Sequence, residues 1–315
     1  QIAGGRVGIV AAFPPPKHAL VLGLKLTVVL LIPLVVVSLI VGGKAILPAV
    51  MGFLAVAVMP YCTRKQAVGF MLGLVVTGVL ATMAARTWWA VLVVMAACVA
   101  AGLASRVSAG VFGMAPIVAS ILALDPPKNS PLVVGLVMLA VGTYVGVILH
   151  VMKFHIPAQP APWDVAIRHA VVQSLACGLT TAVALFYDWP KAYWLVMTMA
   201  IVLRPYRSDS LVHSRQRIIG TMAGAVIAIV LSPVPRSVQL LFAAVCLVLM
   251  FAYIVLKNYV LQVAFMTPMI VFLVSTGTVT DTLHFDGLRL LYTASACVVG
   301  GLLAMGLARR DQVSA

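Results

Sequence analysis

The chain has 315 residues, of which 63% are hydrophobic and only 9% charged. A soluble domain carries roughly 25% charged residues, and this composition lacks the polar surface to cover a water-soluble exterior. The net charge of +14 would suggest nucleic acid in a soluble protein; here the basic residues punctuate long apolar runs, so membrane topology accounts for them and no nucleic acid is expected as a partner.

In lipid, backbone polar groups must be satisfied inside the protein, which leaves helices or a closed barrel. Barrel strands alternate apolar and polar residues over about ten positions, whereas this sequence holds continuous apolar stretches such as 20–41 and 131–152. The expected fold is therefore an all-α membrane protein of about twelve transmembrane helices. In chain order the runs are 20–41, 45–60, 67–85, 88–105, 108–124 and 131–152, then 169–187, 191–204, 218–232, 237–256, 258–276 and 289–308. They define a cytoplasmic N-terminal segment 1–18, a six-helix repeat 19–152, a cytoplasmic linker 153–168, a second six-helix repeat 169–308 and a cytoplasmic tail 309–315. With the N-terminus placed in the cytoplasm, only Lys44, Arg86, Lys128, Lys191, Arg236 and Arg289 of the 21 Lys and Arg fall outside. That bias supports both the count and the orientation, with both termini cytoplasmic.

The halves resemble each other. The first has Lys44-Ala45, Met51, Pro60-Tyr61 and Met114-Ala115-Pro116; the second has Lys191-Ala192, Met197, Pro205-Tyr206 and Met266-Thr267-Pro268. Their common order points to a duplication, and an even number of helices makes the repeats parallel. The basic stretch RPYRSDSLVHSRQR is read as a longer loop in the second half.

No enzyme motif is present: neither a phosphate loop nor HExxH occurs. The six His show no metal-ligand spacing, and His150 and His155 read as interfacial. The five Cys show no CxxC pattern and read as small buried hydrophobes. No catalytic residue, metal or cofactor is expected. The second and eighth runs are short and end in Pro60-Tyr61 and Pro205-Tyr206, while the fifth and eleventh carry Pro116 and Pro268. Broken segments at matching places in two halves point to a substrate path; the alternative is a kink packed against a neighbour. Arg106 and Lys257 occupy matching places between the fourth and fifth helices of each half. They either snorkel to the interface or form a pair of cations at the inner mouth of an anion pore. Arg204 ends the eighth run, and Arg64 and Lys65 could serve in its place in the first half. There is no Glu, and every Asp falls in a loop or near a helix end, with Asp188 the nearest outer-edge acid. Passive anion movement is therefore expected, favoured outward by about 2.3 kcal/mol per 100 mV.

The stretches WDVAIRHAVVQSLACGLTTAVAL, YDWPKAYWLVMTMAIVLRPY and RQRIIGTMAGAVIA resemble the fusaric acid resistance (FUSC) family over about residues 163–308. The matching positions are Arg168 and His169, Trp194, Arg204-Pro205-Tyr206, then Arg217, Gly220, Thr221 and Gly224. The family is related to bacterial aromatic acid exporters and plant aluminium-activated malate channels. The resemblance implies six-helix units paired around a pore and efflux of carboxylated, often aromatic compounds. Gly220 and Gly224 also have a packing role, because small residues four apart let helices approach.

The expected function is export of organic anions, aromatic carboxylates among them, by a transporter or channel of the bacterial inner membrane. The alternative is a non-transporting membrane subunit of a larger envelope assembly. The partners expected are the lipid bilayer, a small organic anion, and either a second copy of the chain or another membrane protein.

Overall fold

The computed structural model describes residues 13–57, 59–108, 114–152, 160–274 and 278–311. Among them are twelve α-helices and no strand: α1 (Lys17–Ile40), α2 (Ile46–Phe53), α3 (Arg64–Met83), α4 (Trp89–Ala104), α5 (Met114–Leu124), α6 (Pro131–Val151), α7 (Trp163–Phe186), α8 (Tyr193–Val202), α9 (Arg207–Leu231), α10 (Arg236–Val255), α11 (Tyr259–Val274) and α12 (Val279–Asp311). The helix count agrees with the apolar runs. Local chemistry sets several of the starts. Thr63 and Gln66 form a reciprocal cap on α3. Ser130 caps α6 ahead of Pro131. The Asn258 side chain accepts from Leu261 N–H at the start of α11.

Seven described helices are long and apolar enough to cross a membrane: α1, α3, α6, α7, α9, α10 and α12. They carry exposed apolar stripes at helical spacing, such as Val68, Leu72, Val76 and Leu80 on α3, and Ile167, Val171, Leu175 and Leu179 on α7. Such contiguous exposed apolar surface suits lipid. The shorter α5 and α8 are different: Pro116 to Ala123 are all buried, as are eight of the ten residues of α8. A helix apolar and buried all round is an interior element. The second and eighth helices are short, as their runs suggested.

Three helices of the second half begin earlier than their apolar runs. α7 starts at Trp163, α9 at Arg207 and α12 at Val279, against expected starts of 169, 218 and 289. The expected basic loop of RPYRSDSLVHSRQR is thus helical from Arg207 onward, and the end of the expected linker is the first turn of α7. Charged residues cut the runs short on paper, yet a helix satisfies its backbone whatever its side chains. Pro268 is inside α11. Pro116 instead falls in the first turn of α5, where a missing N–H costs nothing. Arg6, Lys153, His155 and the first residues of the fifth run lie outside the described residues.

The chain divides into two compact units, one of residues 1–28 and 215–291 and one of 29–214 and 292–315. In the second, α4 packs along α7, α6 packs on α2 and α3, and α5 contacts α3, α4 and α8. In the first, α10 packs along α11.

Candidate functional site

The turn after α8 gathers a basic cluster within the larger unit. Leu203 is extended, and Pro205 imposes an extended backbone on Arg204 before it. Ser210 of α9 fixes this turn: its hydroxyl accepts from Arg204 N–H at 2.9 Å and donates to the Tyr206 carbonyl at 3.2 Å. The Arg204 charge acts on two imidazoles, His169 of α7 and His213 of α9. His169 is buried. The His213 ring is 3.0 Å from the Asp209 carbonyl, and the Asp209 charge also acts on it. One turn beyond His169, the Gln173 amide donates to Ala200 of α8 at 2.9 Å, and its own oxygen has no hydrogen-bond partner. The hydroxyls of Thr198 and Ser214 are likewise buried without partners. Buried polar groups are normally hydrogen-bonded, so these three set the region apart.

The other expected residues of this unit divide into engaged and exposed. Arg106 is engaged: it donates to the Ala161 carbonyl at 2.8 Å and lies 4.7 Å from the centre of the Trp163 ring. Ala161 N–H donates in turn to the Ser105 carbonyl, so the end of α4 holds the entry to α7. Arg64 and Lys65 are exposed at the start of α3, with Tyr61 half-buried beside them. Arg168 is half-buried and Tyr206 is exposed, whereas Pro205 and Trp194 are buried. A cavity of about 350 Å³ lies between α3, α4 and α5, lined by Met59, Phe70, Met71 and Met114, with Gln66 and Thr77 as its polar groups. Burial pushes the nearby Cys62 thiol up from its ordinary value.

In the smaller unit Gly220 and Gly224 do bring helices together. A side chain at Gly224 would meet the Ala264 carbonyl at 2.5 Å and Pro268 of α11 at 3.0 Å. Arg217 is buried and donates to the Tyr259 hydroxyl at 3.3 Å, and Thr221 is buried one turn along. Lys257 is exposed, with φ 55, at the end of α10.

The structure corrects the placement of two outer charges. Asp286, read as lying in a loop or near a helix end, and Arg289, read as the first residue of the last run, are both well inside α12, at 1% and 2% exposure. The signal was available: Asp286 and Arg289 are three apart, a spacing that shares a helix face. Asp188, by contrast, is exposed and paired with Arg86 at 3.3 Å, beside a second pair of Lys191 and Asp125 at 2.8 Å. Arg86, Asp188 and Lys191 all adopt positive φ, so these turns are tight.

A 101-residue stretch of the chain is 33% identical to an uncharacterized protein of Haemophilus influenzae. It covers 32% of this chain and 14% of that much longer protein. No solved structure matches. The family model described as fusaric acid resistance protein-like matches residues 177–303, a span that contains the Arg204 cluster's turn, the Gly220 and Gly224 contact and the buried pair of α12. Residues 177–303 therefore resemble the fusaric acid resistance protein-like family, and the seven long apolar helices suit an integral membrane protein.

Proposed function

We propose that the chain carries organic anions, aromatic carboxylates among them, out of the cytoplasm across the bacterial inner membrane, with both termini on the cytoplasmic side. The observation that carries this reading is the convergence of Arg204, His169 and His213 at the ends of three apolar helices. Ionisable groups among membrane helices are expensive to bury and mark solute paths. A guanidinium is the side chain best shaped to take a carboxylate with two hydrogen bonds. By the topology read from the sequence, Arg64, Lys65, Arg106 and Lys257 are all cytoplasmic and would raise the local concentration of anions there. Tyr61 and Tyr206 follow the two short helices, and the neighbouring apolar cavity has room for an aromatic ring.

A tandem duplication underlies the reading and has further support. RKQAVGFMLG at 64–73 aligns with RQRIIGTMAG at 215–224, a match that places Gly69 and Gly73 opposite Gly220 and Gly224. Helix contacts recur as well. α4 meets α7 at Gly102 and Ala170, and α10 meets α1 at Ala252 and Gly23. Each is the fourth helix of one half against the first helix of the other, crossing at a glycine and an alanine.

Flux of labelled benzoate into inverted membrane vesicles tests the proposal. Arg204→Ala should cut the rate roughly tenfold or more, since a hydrogen bond to a charged group is worth about 1.5–3 kcal/mol, and Arg204→Lys should retain part of it. Unchanged flux in Arg204→Ala would discard the site.

One observation favours the second reading, a subunit of a membrane assembly. Among the described residues nothing lies within 4 Å of a side chain placed at Gly69 or Gly73, which line the cavity between α3, α4 and α5, so a further helix could close over this side of α3 in place of a solute. A stoichiometric membrane partner after mild solubilisation, together with no vesicle flux, would favour it.

A further inference from the structure

Asp286 and Arg289 sit one turn apart on the same face of α12. Both oxygens of the Asp286 carboxylate lack a hydrogen-bond partner, and so does the Thr282 hydroxyl one turn earlier, which is fully buried. The segment Val279–Met305 is apolar enough to span a bilayer, and Asp286 lies about 10 Å along it. The charge that acts on Asp286 is that of Arg289. The other ionisable groups among the described residues of this unit are Lys17, His18 and Lys25 on α1, Arg215 and Arg217 on α9, Arg236, Cys246 and Tyr253 on α10, Lys257 after it, Tyr259 on α11, and Asp281 and His284 on α12 itself; none of them acts on the Asp286 carboxyl as Arg289 does. The sixth helix of the first half, α6, carries no Asp, Glu, Lys or Arg. The pair is therefore not part of the duplicated scaffold.

We infer that Arg289 is a binding site for an organic carboxylate, that Asp286 is its resident counter-ion, and that the arriving anion displaces Asp286, which then takes up one proton. The inference rests on the transport reading above. A carboxylate in an apolar interior is tolerated when a cation faces it and is costly when alone. Once the incoming anion occupies Arg289, Asp286 loses that compensation and a proton from water neutralises it. When the anion leaves, the proton leaves and the ionised Asp286 again balances the Arg289 charge. One anion and one proton bind together and are released together, so the site is neutral in both states. The acid then moves down its own concentration gradient, outward from a cell that accumulates it, and the membrane voltage is not the driving force.

The test uses the full chain in vesicles with a trapped pH dye, the voltage clamped at zero, and an inward gradient of labelled benzoate or benzenesulfonate. Benzenesulfonate cannot carry its own proton through lipid, and protein-free vesicles correct for benzoic acid that does. The wild type should acidify the interior by about one proton per anion moved. Asp286→Asn should move the anion without acidification, and its flux should become voltage-dependent. Anion movement without acidification in the wild type, or undiminished acidification in Asp286→Asn, overturns the inference while leaving transport intact. If Asp286→Asn moves neither species, Asp286→Glu decides: restored acidification supports the role, and a second complete loss overturns it. No flux of either probe in the wild type removes the transport reading, and this one with it.

Discussion

The sequence offers Arg106 as an inner-face cation but gives no sign of its partner. Its side chain reaches across to Ala161 and Trp163, residues in a stretch that reads as linker from the sequence. Arg106→Ala should therefore cost stability, about 1–3 kcal/mol from the lost charged hydrogen bond and ring contact, read as a lower melting temperature in detergent. Unchanged melting would leave Arg106 only its charge. Lys257 is the opposite case, exposed and with a left-handed backbone. Lys257→Gly should relieve about 1 kcal/mol of strain and raise the melting temperature. If Lys257 also attracts anions, the same variant should lose flux at low salt and recover at high salt, because exposed charges are screened. His169 and His213 could not be paired from sequence at all. They are on α7 and α9, and only the turn held by Ser210 brings Arg204 to both.

Helices were the most legible level, because uninterrupted apolar runs in lipid admit almost nothing else. Their starts were read late where charged residues lie inside the helix. α7, α9 and α12 carry Arg168 and His169, Arg217, and Asp286 and Arg289 inside the helix, and a rule that stops at charges discards those turns. The rule holds for lipid-facing surface and fails for a face turned toward other helices. The same contrast governs glycine. Gly224 of α9 is pressed against the α11 backbone, whereas Gly69 of α3 faces open space among the described residues. Gly224→Ala should destabilise by about 1–3 kcal/mol. Gly69→Ala should stabilise by up to about 1 kcal/mol through helix propensity alone. Destabilisation at Gly69 would mean that another helix already occupies that face.

At the scale of the whole molecule the proposal is a duplication, which short paired motifs in the sequence suggest and the recurring glycine contacts support. Its parallel sense is open to a direct measurement. Arg64 and Arg215 are aligned and both exposed, so Arg64→Cys and Arg215→Cys should react with an impermeant maleimide from the same side, the cytoplasmic one. Labelling from opposite sides would rule out parallel repeats. The five natural cysteines are buried, and burial raises the thiol value of Cys62, leaving less thiolate at neutral pH. The unmodified chain should therefore stay unlabelled. The aromatic residues add an optical consequence. Trp88, Trp89, Trp163 and Trp189 stand exposed at helix ends, while Trp194 is enclosed on α8 at 2% exposure. Quenchers carried by lipid headgroups would darken the four at the rim. The surviving fluorescence would come from a single indole two turns of helix from the Arg204 turn, a built-in reporter of what arrives there.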